Sequence, residues 1–257
     1  MKTLRSISAA VALCVASITP SMAQGTTFVN GNFAGGSLAN WTTFGDVLVV
    51  GATKVVSLTT ASLDFDDDSP LPAGFNNNSG TAAVDFFFAP DLAGVSIAAL
   101  DAAGGDFTYE GSAIRQDFYA TAGDVLTVKF DWTFLSAEKT VNGIAAKPDF
   151  GFLAINGSAV KFIDALSAPA VSQFTGTFGD FSNVNWGWTG LEYTYTADAT
   201  GAVSLVVGVA DVGGYGLTSE LRVDNMSVTA VPEPESYAML LAGLALMGGI
   251  ARRRSQA

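Results

Sequence analysis

The stretch Asp124-Val125-Leu126-Thr127-Val128-Lys129-Phe130-Asp131-Trp132 decides the fold. Leu126, Val128, Phe130 and Trp132 alternate with Thr127, Lys129 and Asp131. That is the period of a strand with one buried and one solvated face. Ala122-Gly123 marks the turn before it, and Ser112 to Ala120 reads as the preceding strand, with Ile114, Gln116 and Phe118 on one face. Further out, Val203 to Val209 is a continuous apolar run, suited to a strand buried on both faces. Other strands are expected over 26–33, 47–58, 82–88, 150–155, 159–162, 190–196 and 221–228. About ten short strands between Gly, Asn, Asp and Pro turns predict an all-β chain folded as a two-sheet β-sandwich. Pro90 to Ala103 has room for one short helical turn.

Composition narrows the function classes. The 257 residues hold 24 acids, 12 basic residues, one Cys and no His. Without His, neither a Ser-His-Asp triad nor a His-ligated metal can be built. A net charge of -12 opposes nucleic-acid binding, which needs clustered Lys and Arg. With 49% apolar and 14% charged residues, the chain is too apolar to be disordered.

The two ends read as addresses. Residues 1–23 have the form of a secretory signal peptide: Lys2 and Arg5, an apolar run from Ile7 to Ile18, then Ser21-Met22-Ala23 before a cut at Gln24. Signal peptidase is the implied partner. Cys14 lies inside this segment, so a mature chain would rely on packing rather than disulfides. At the other end, residues 231–257 contain Val231-Pro232-Glu233-Pro234-Glu235, an apolar stretch from Tyr237 to Ala251, and Arg252-Arg253-Arg254. The prolines hold an extended spacer. The apolar stretch reads as a short transmembrane helix, and the arginines would keep its end on the cytoplasmic side of the inner membrane.

That three-part order resembles the PEP-CTERM sorting signal of exopolysaccharide-producing Gram-negative bacteria. Pro232, Glu233 and Pro234 match its motif, Gly243, Gly248 and Gly249 its small-residue helix, and Arg252, Arg253 and Arg254 its basic end. The resemblance implies processing by an exosortase, a transient membrane anchor, and a final place at the cell surface or outside the cell. The body, residues 24–230, resembles the carbohydrate-binding-module-like, galactose-binding-like jelly rolls. Phe28-Val29-Asn30-Gly31-Asn32-Phe33 with Leu38 and Trp41 looks like their opening, Ser112 to Phe118 like their central strand pair, and Leu221 to Val228 like their closing strand. The expected fold is thus a single jelly-roll-like β-sandwich between the two sorting segments. In the closing strand, Leu221 and Val223 fall out of phase with Met226 and Val228, which predicts a β-bulge at Asp224-Asn225. Those two side chains are expected to cap a loop from the opening segment.

Chemistry has two candidate places. Asp64, Asp66, Asp67 and Asp68 crowd one loop, either as a solvated acidic run or as oxygen ligands for Ca²⁺; calcium is the one cofactor the sequence suggests. Asn185, Trp186 and Trp188 form the second. In one strand the two indoles would share a face on which a sugar ring could stack, with Asn185 bonding its hydroxyls; the other reading puts them in the core, as is expected of Trp41 and Trp132. For a glycosidase pair, Asp131, Asp149, Glu110 and Glu192 lie near strands, but nothing singles out two of them, and no catalytic residues are assigned. The sequence therefore points first to a non-enzymatic structural or adhesive protein associated with exopolysaccharide. The alternative is a calcium-stabilised, lectin-like glycan-binding module; an enzyme acting on polysaccharide is the weakest reading.

Overall fold

A computed structural model describes residues 27–64, 68–138, 147–166, 172–231, 241–248 and 252. The elements, in chain order, are β1 (Thr42–Phe44), β2 (Asp46–Val49), β3 (Val56–Thr59), β4 (Val84–Asp85), β5 (Asp91–Leu92), β6 (Val95–Ser96), α1 (Ile97–Gly104), β7 (Thr108–Ala120), β8 (Val125–Ser136), β9 (Phe150–Ile155), β10 (Ser158–Asp164), β11 (Ser172–Phe174), β12 (Val184–Trp186), β13 (Thr189–Thr196), β14 (Gly201–Val212) and β15 (Ser219–Val231). One antiparallel sheet runs β1-β7-β14-β9-β10, with β4 also on β7. The other runs β13-β8-β15-β3-β2. Successive long strands cross between the sheets, β7 to β8 to β9 and β13 to β14 to β15, as in a jelly roll.

The alternation in β8 sets the sandwich. Leu126, Val128, Phe130, Trp132 and Phe134 point inward and meet Ile114 and Phe118 of β7, Leu153 and Ile155 of β9, and Val203, Leu205, Val207 and Val209 of β14. β14 is central and apolar on both faces, as its sequence predicts. Its other face, Val206, Ala210 and Val212, joins Phe150, Phe152 and Ala154 in a second core. Leu92, Val95 and Leu100 from β5, β6 and α1 cover that core from outside. Ser96 starts α1 by accepting the Ala99 N–H, and Gly105 ends it in the left-handed region.

Three strand expectations change. The opening segment, expected as a strand to Phe33, is irregular over its described part, because Asn30 and Phe33 take positive φ and break extension. It is tied to β7 by Gln116, whose side-chain amide both accepts from the Val29 N–H (2.8 Å) and donates to the Val29 carbonyl (2.9 Å). The expected strand 47–58 is a hairpin: Lys54 takes positive φ, its N–H donates to the Val50 carbonyl, and the chain reverses between β2 and β3. Of 82–88 only β4 forms, since Phe86 turns into the second core and Phe87 and Phe88 turn out to solvent. Trp41 and Trp132 are core, as expected.

The bulge in the closing strand is present. β15 shifts register against β8 between Asp224 and Ser227, with Asn225 at φ 52°, a region Asn tolerates. The extra residue restores phase, so Leu221, Val223, Met226 and Val228 all face the same core. The expected capping by side chains does not occur. Instead, the Met226 N–H donates to the Gly31 carbonyl (2.8 Å). A Cβ on Gly31 would sit 1.9 Å from the Met226 carbonyl oxygen, so only glycine allows this approach.

At the C-terminus, 241–248 is an exposed helix. Among the described residues no helix is long and apolar enough to cross a membrane. The signal segment 1–23, Pro232, Glu233, Pro234, Arg253 and Arg254 lie outside the described residues.

Candidate functional site: a polar groove on one sheet face

The outer face of the β13-β8-β15-β3-β2 sheet carries the polar half of each strand's alternation. At one end it is roofed. Ser57 donates to Glu220 (2.5 Å) and Thr59 to Asp46 (2.5 Å), while Asp46 also accepts the N–H groups of Asn78 and Ser79. Thr133 and Ser172 share a hydroxyl hydrogen bond (2.5 Å) that pins the β11–β12 hairpin over β8. Arg222 donates to Glu220 (2.7 Å), and its guanidinium lies 3.7 Å above the Trp186 ring. Glu220 is fully buried and burial raises its carboxyl pKa, against the pull of Arg222 and Ser57.

At the other end the face is open. Lys129, Phe130, Asp131, Gly190, Leu191, Glu192, Asn225 and Ser227 line a depression of about 510 Å³. A second hollow of about 290 Å³, lined by Thr53, Val55, Asp131, Trp188, Asp224 and Asn225, meets it at Asp131 and Asn225. The floor is built by register. Gly190, Asp131 and Asp224 are neighbours across β13, β8 and β15, and Glu192, Lys129 and Ser227 form the next row. A Cβ at Gly190 would come within 3.7 Å of the Asp131 carboxylate, so glycine leaves that carboxylate uncovered on this side. The Asn225 side-chain amide, aimed by the bulge, donates to Asp131 (2.9 Å). Its backbone N–H donates to Asp224 (2.7 Å). Burial pushes the Asp224 carboxyl up, the Asn225 N–H pulls it back, and the Asp131 charge adds to the rise. Lys129 and Glu192 pair at 2.8 Å, both more than half exposed, so the pair contributes little stability.

The residues expected to bind sugar part company. Trp186 and Trp188 do not share a strand face: β12 ends at Trp186, β13 begins at Thr189, and the chain changes sheet between them. Trp186 stacks on the Arg222 guanidinium and packs against the cluster of Leu135, Ala137 and Phe181. Asn185 is solvent-exposed on the hairpin, and it lines neither hollow. Trp188 alone reaches the groove, 43% exposed. Sequence reading missed Asp224 and Asn225 as groove residues, although the phase break there was visible. Lys129 and Asp131 were the polar half of the stretch that decided the fold.

The acidic loop divides too. Asp64 is exposed, and Asp66 and Asp67 lie outside the described residues. Asp68 is buried and accepts from the Asn76 N–H (3.0 Å), the Asn76 side-chain amide (2.6 Å) and the Thr218 hydroxyl (2.8 Å). That carboxylate braces two loops and is a poor donor for a cation. Among the described residues no three acidic, Cys or His side chains converge on a metal position. Of the acids considered for catalysis, Asp149 and Glu110 are buried away from the groove. Asp149 accepts from Ser219 and from the Val212 N–H. Beside it Glu138 accepts the Asp149 N–H (2.8 Å), and its carboxyl is pushed up to about 7, chiefly by burial.

Comparison with known proteins decides the identity of the tail. Residues 230–255 match the PEP-CTERM protein-sorting motif. The chain carries a PEP-CTERM sorting signal. That signal marks an exported protein sorted by an exosortase, and it says nothing of the body. No curated protein is similar in sequence. Among solved structures the chain is similar to TmCBM61, a structure in complex with beta-1,4-galactotriose, at 15% identity and a TM-score of 0.37, covering 79% of this chain and 98% of that one. It is similar to a CBM4 structure at 9% and 0.35, covering 75% and 96%. It is also similar to the enzymatically active domain of bacteriophage CBA120 tailspike protein 4 at 10% and 0.32, covering 80% of this chain and 21% of that one. These likenesses are distant, and the reading of the groove rests on its own geometry.

Proposed function

We infer that this PEP-CTERM protein is a non-enzymatic component of the cell surface or extracellular matrix whose sandwich binds glycan, associating with exopolysaccharide. The open groove carries the reading. Its floor offers carboxylates, an amide and a hydroxyl at the spacing of neighbouring strands, and an exposed indole stands at its end. Hydroxyl-rich rings need that combination: polar partners for their edges and an apolar plate for their faces. A binding role fits better than hydrolysis. Asp131 and Asp224 are side-by-side register partners on one floor, whereas glycosidase carboxyls flank the scissile bond.

In this reading signal peptidase removes residues 1–23, the apolar tail holds the body at the inner membrane, and exosortase processing then sends it to the surface. Calcium belongs to the lectin-like alternative. With Asp68 committed to Asn76 and Thr218, the donors left on that loop are Asp64, Asp66 and Asp67, and a melting temperature lowered by chelator would bring calcium in. The test of the main reading is a glycan array that includes the host's own polysaccharide, probed with the full-length chain and with Trp188→Ala. Saturable binding lost in the variant is expected. No binding by the folded chain, or binding indifferent to Trp188, would overturn it.

A further inference from the structure

The charges in the groove name its ligand class; this rests on the glycan-binding reading above. Asp131 and Asp224 are direct cross-strand partners on β8 and β15. Both are half-buried, and both line the hollow that Trp188 closes. Like charges directly opposite each other destabilise a sheet. Among the described residues they are relieved by Asn225, whose side-chain amide reaches Asp131 and whose N–H reaches Asp224.

The neighbouring cations lie outside this hollow. Arg222, one outward position back along β15, is held by Glu220 and the Trp186 ring. Lys129 is held by Glu192. Lys54, between two lining residues, lays its ammonium against Gly36. The hollow is thus a pair of carboxylates beside an exposed indole, with no side-chain cation of the described residues turned into it.

That pattern discriminates among ligands. An indole face attracts an ammonium group, and carboxylates accept its N–H donors in charge-assisted bonds. A uronate or sulfated sugar would add negative charge to the pair. A neutral sugar would leave the pair uncompensated in a site it has just desolvated. A Ca²⁺ ion takes six to eight oxygens, and two carboxylates with one amide would leave much of that shell to water, whereas an ammonium needs only the two carboxylates. We propose that the groove selects glycans bearing free amino groups, de-N-acetylated hexosamine units, with the ammonium between Asp131 and Asp224 and the sugar ring against Trp188.

The test is calorimetric titration of the full-length chain near pH 6, where both the sugar amine and most carboxylates are charged. The probes are a glucosamine hexamer, an N-acetylglucosamine hexamer and a galacturonate hexamer. The glucosamine hexamer is expected to bind about tenfold or more tighter than its acetylated counterpart, and the galacturonate hexamer not to bind. Asp131→Asn and Asp224→Asn should each cost about tenfold for the amino glycan and leave the acetylated one nearly unchanged. Trp188→Ala, which alters no charge, should abolish binding of both. Asp198→Asn, on the β13–β14 connection, should have no effect, which separates the groove from general attraction to an acidic protein.

Equal affinity for the amino and acetylated hexamers, or preference for the uronate, overturns the proposal and leaves glycan binding standing. An equal loss in Asp198→Asn also overturns it. Failure to bind any of the three hexamers overturns the proposal and leaves the glycan-binding reading to the array, whereas binding untouched in Trp188→Ala removes both.

Discussion

The outer faces of the two sheets are built from similar strands and have opposite fates. On the β7-β14-β9 side the outward residues are Ala113, Val206, Ala210, Phe150 and Phe152, and the chain spends β5, β6 and α1 on covering them. On the β8-β15 side the outward residues are Lys129, Asp131, Thr133, Glu220, Arg222 and Asp224. There the cover stops halfway, where the β11–β12 hairpin ends over Thr133 and Arg222. An apolar face must be buried to be stable in water; a polar face need not be. The uncovered half is therefore the part of the sandwich free to meet another molecule, and the covered face is architecture.

The sharpest way to separate the faces is to damage the covered one. Phe152→Ala empties a fully buried ring position in the second core, over Gly208 of β14. It should cost about 3–5 kcal/mol in urea unfolding while the surviving folded molecules keep their glycan affinity. Next comes the roofed end of the polar face. Arg222→Ala leaves Glu220 buried without its cation and should cost about 3–5 kcal/mol, as loss of one member of a buried pair does.

A smaller effect is pH dependence. Glu138 holds its proton up to about pH 7 in the folded chain and to its ordinary 4.5 when unfolded. Burial raises Asp149 in the same direction. The folded state therefore binds more protons between these values, and the stabilisation present at low pH is lost as pH rises through 7. Melting temperature should fall from about pH 5 to 8, and Glu138→Gln should flatten that fall. The smallest effect belongs to the open half: Trp188→Ala should shift stability by no more than about 0.5 kcal/mol while removing glycan binding. A large loss of stability there would mean the groove is architecture as well.

How much of this was legible follows the range of the interactions. Alternation in 124–132 and the apolar run 203–209 are local patterns, and they gave the inward faces of β8 and β14. The phase break at Asp224-Asn225 announced the bulge for the same reason. What the sequence did not show was set by distant contacts or by backbone sign. Lys54 leaves extended geometry through a positive φ that its residue type does not advertise, and Asn30 does so at a residue type that permits the turn without requiring it. Trp186 and Trp188, two positions apart, part company because Trp186 ends β12, which pairs with β11, whereas Trp188 lies in the link that leads to β13 in the other sheet. The inward turn of Asp68 depends on Thr218, far along the chain. The groove needed the register of three strands before Asp131, Asp224 and Asn225 could be seen as neighbours.

The most direct measurement follows the four tryptophan indole N–H signals by NMR as the glycan returned by the array is titrated into the chain. Trp188 should shift saturably, with Trp41 and Trp132 unmoved in the core. Saturable binding that leaves Trp188 in place, or that moves the core indoles instead, would contradict the assignment of function to the open half of the polar face.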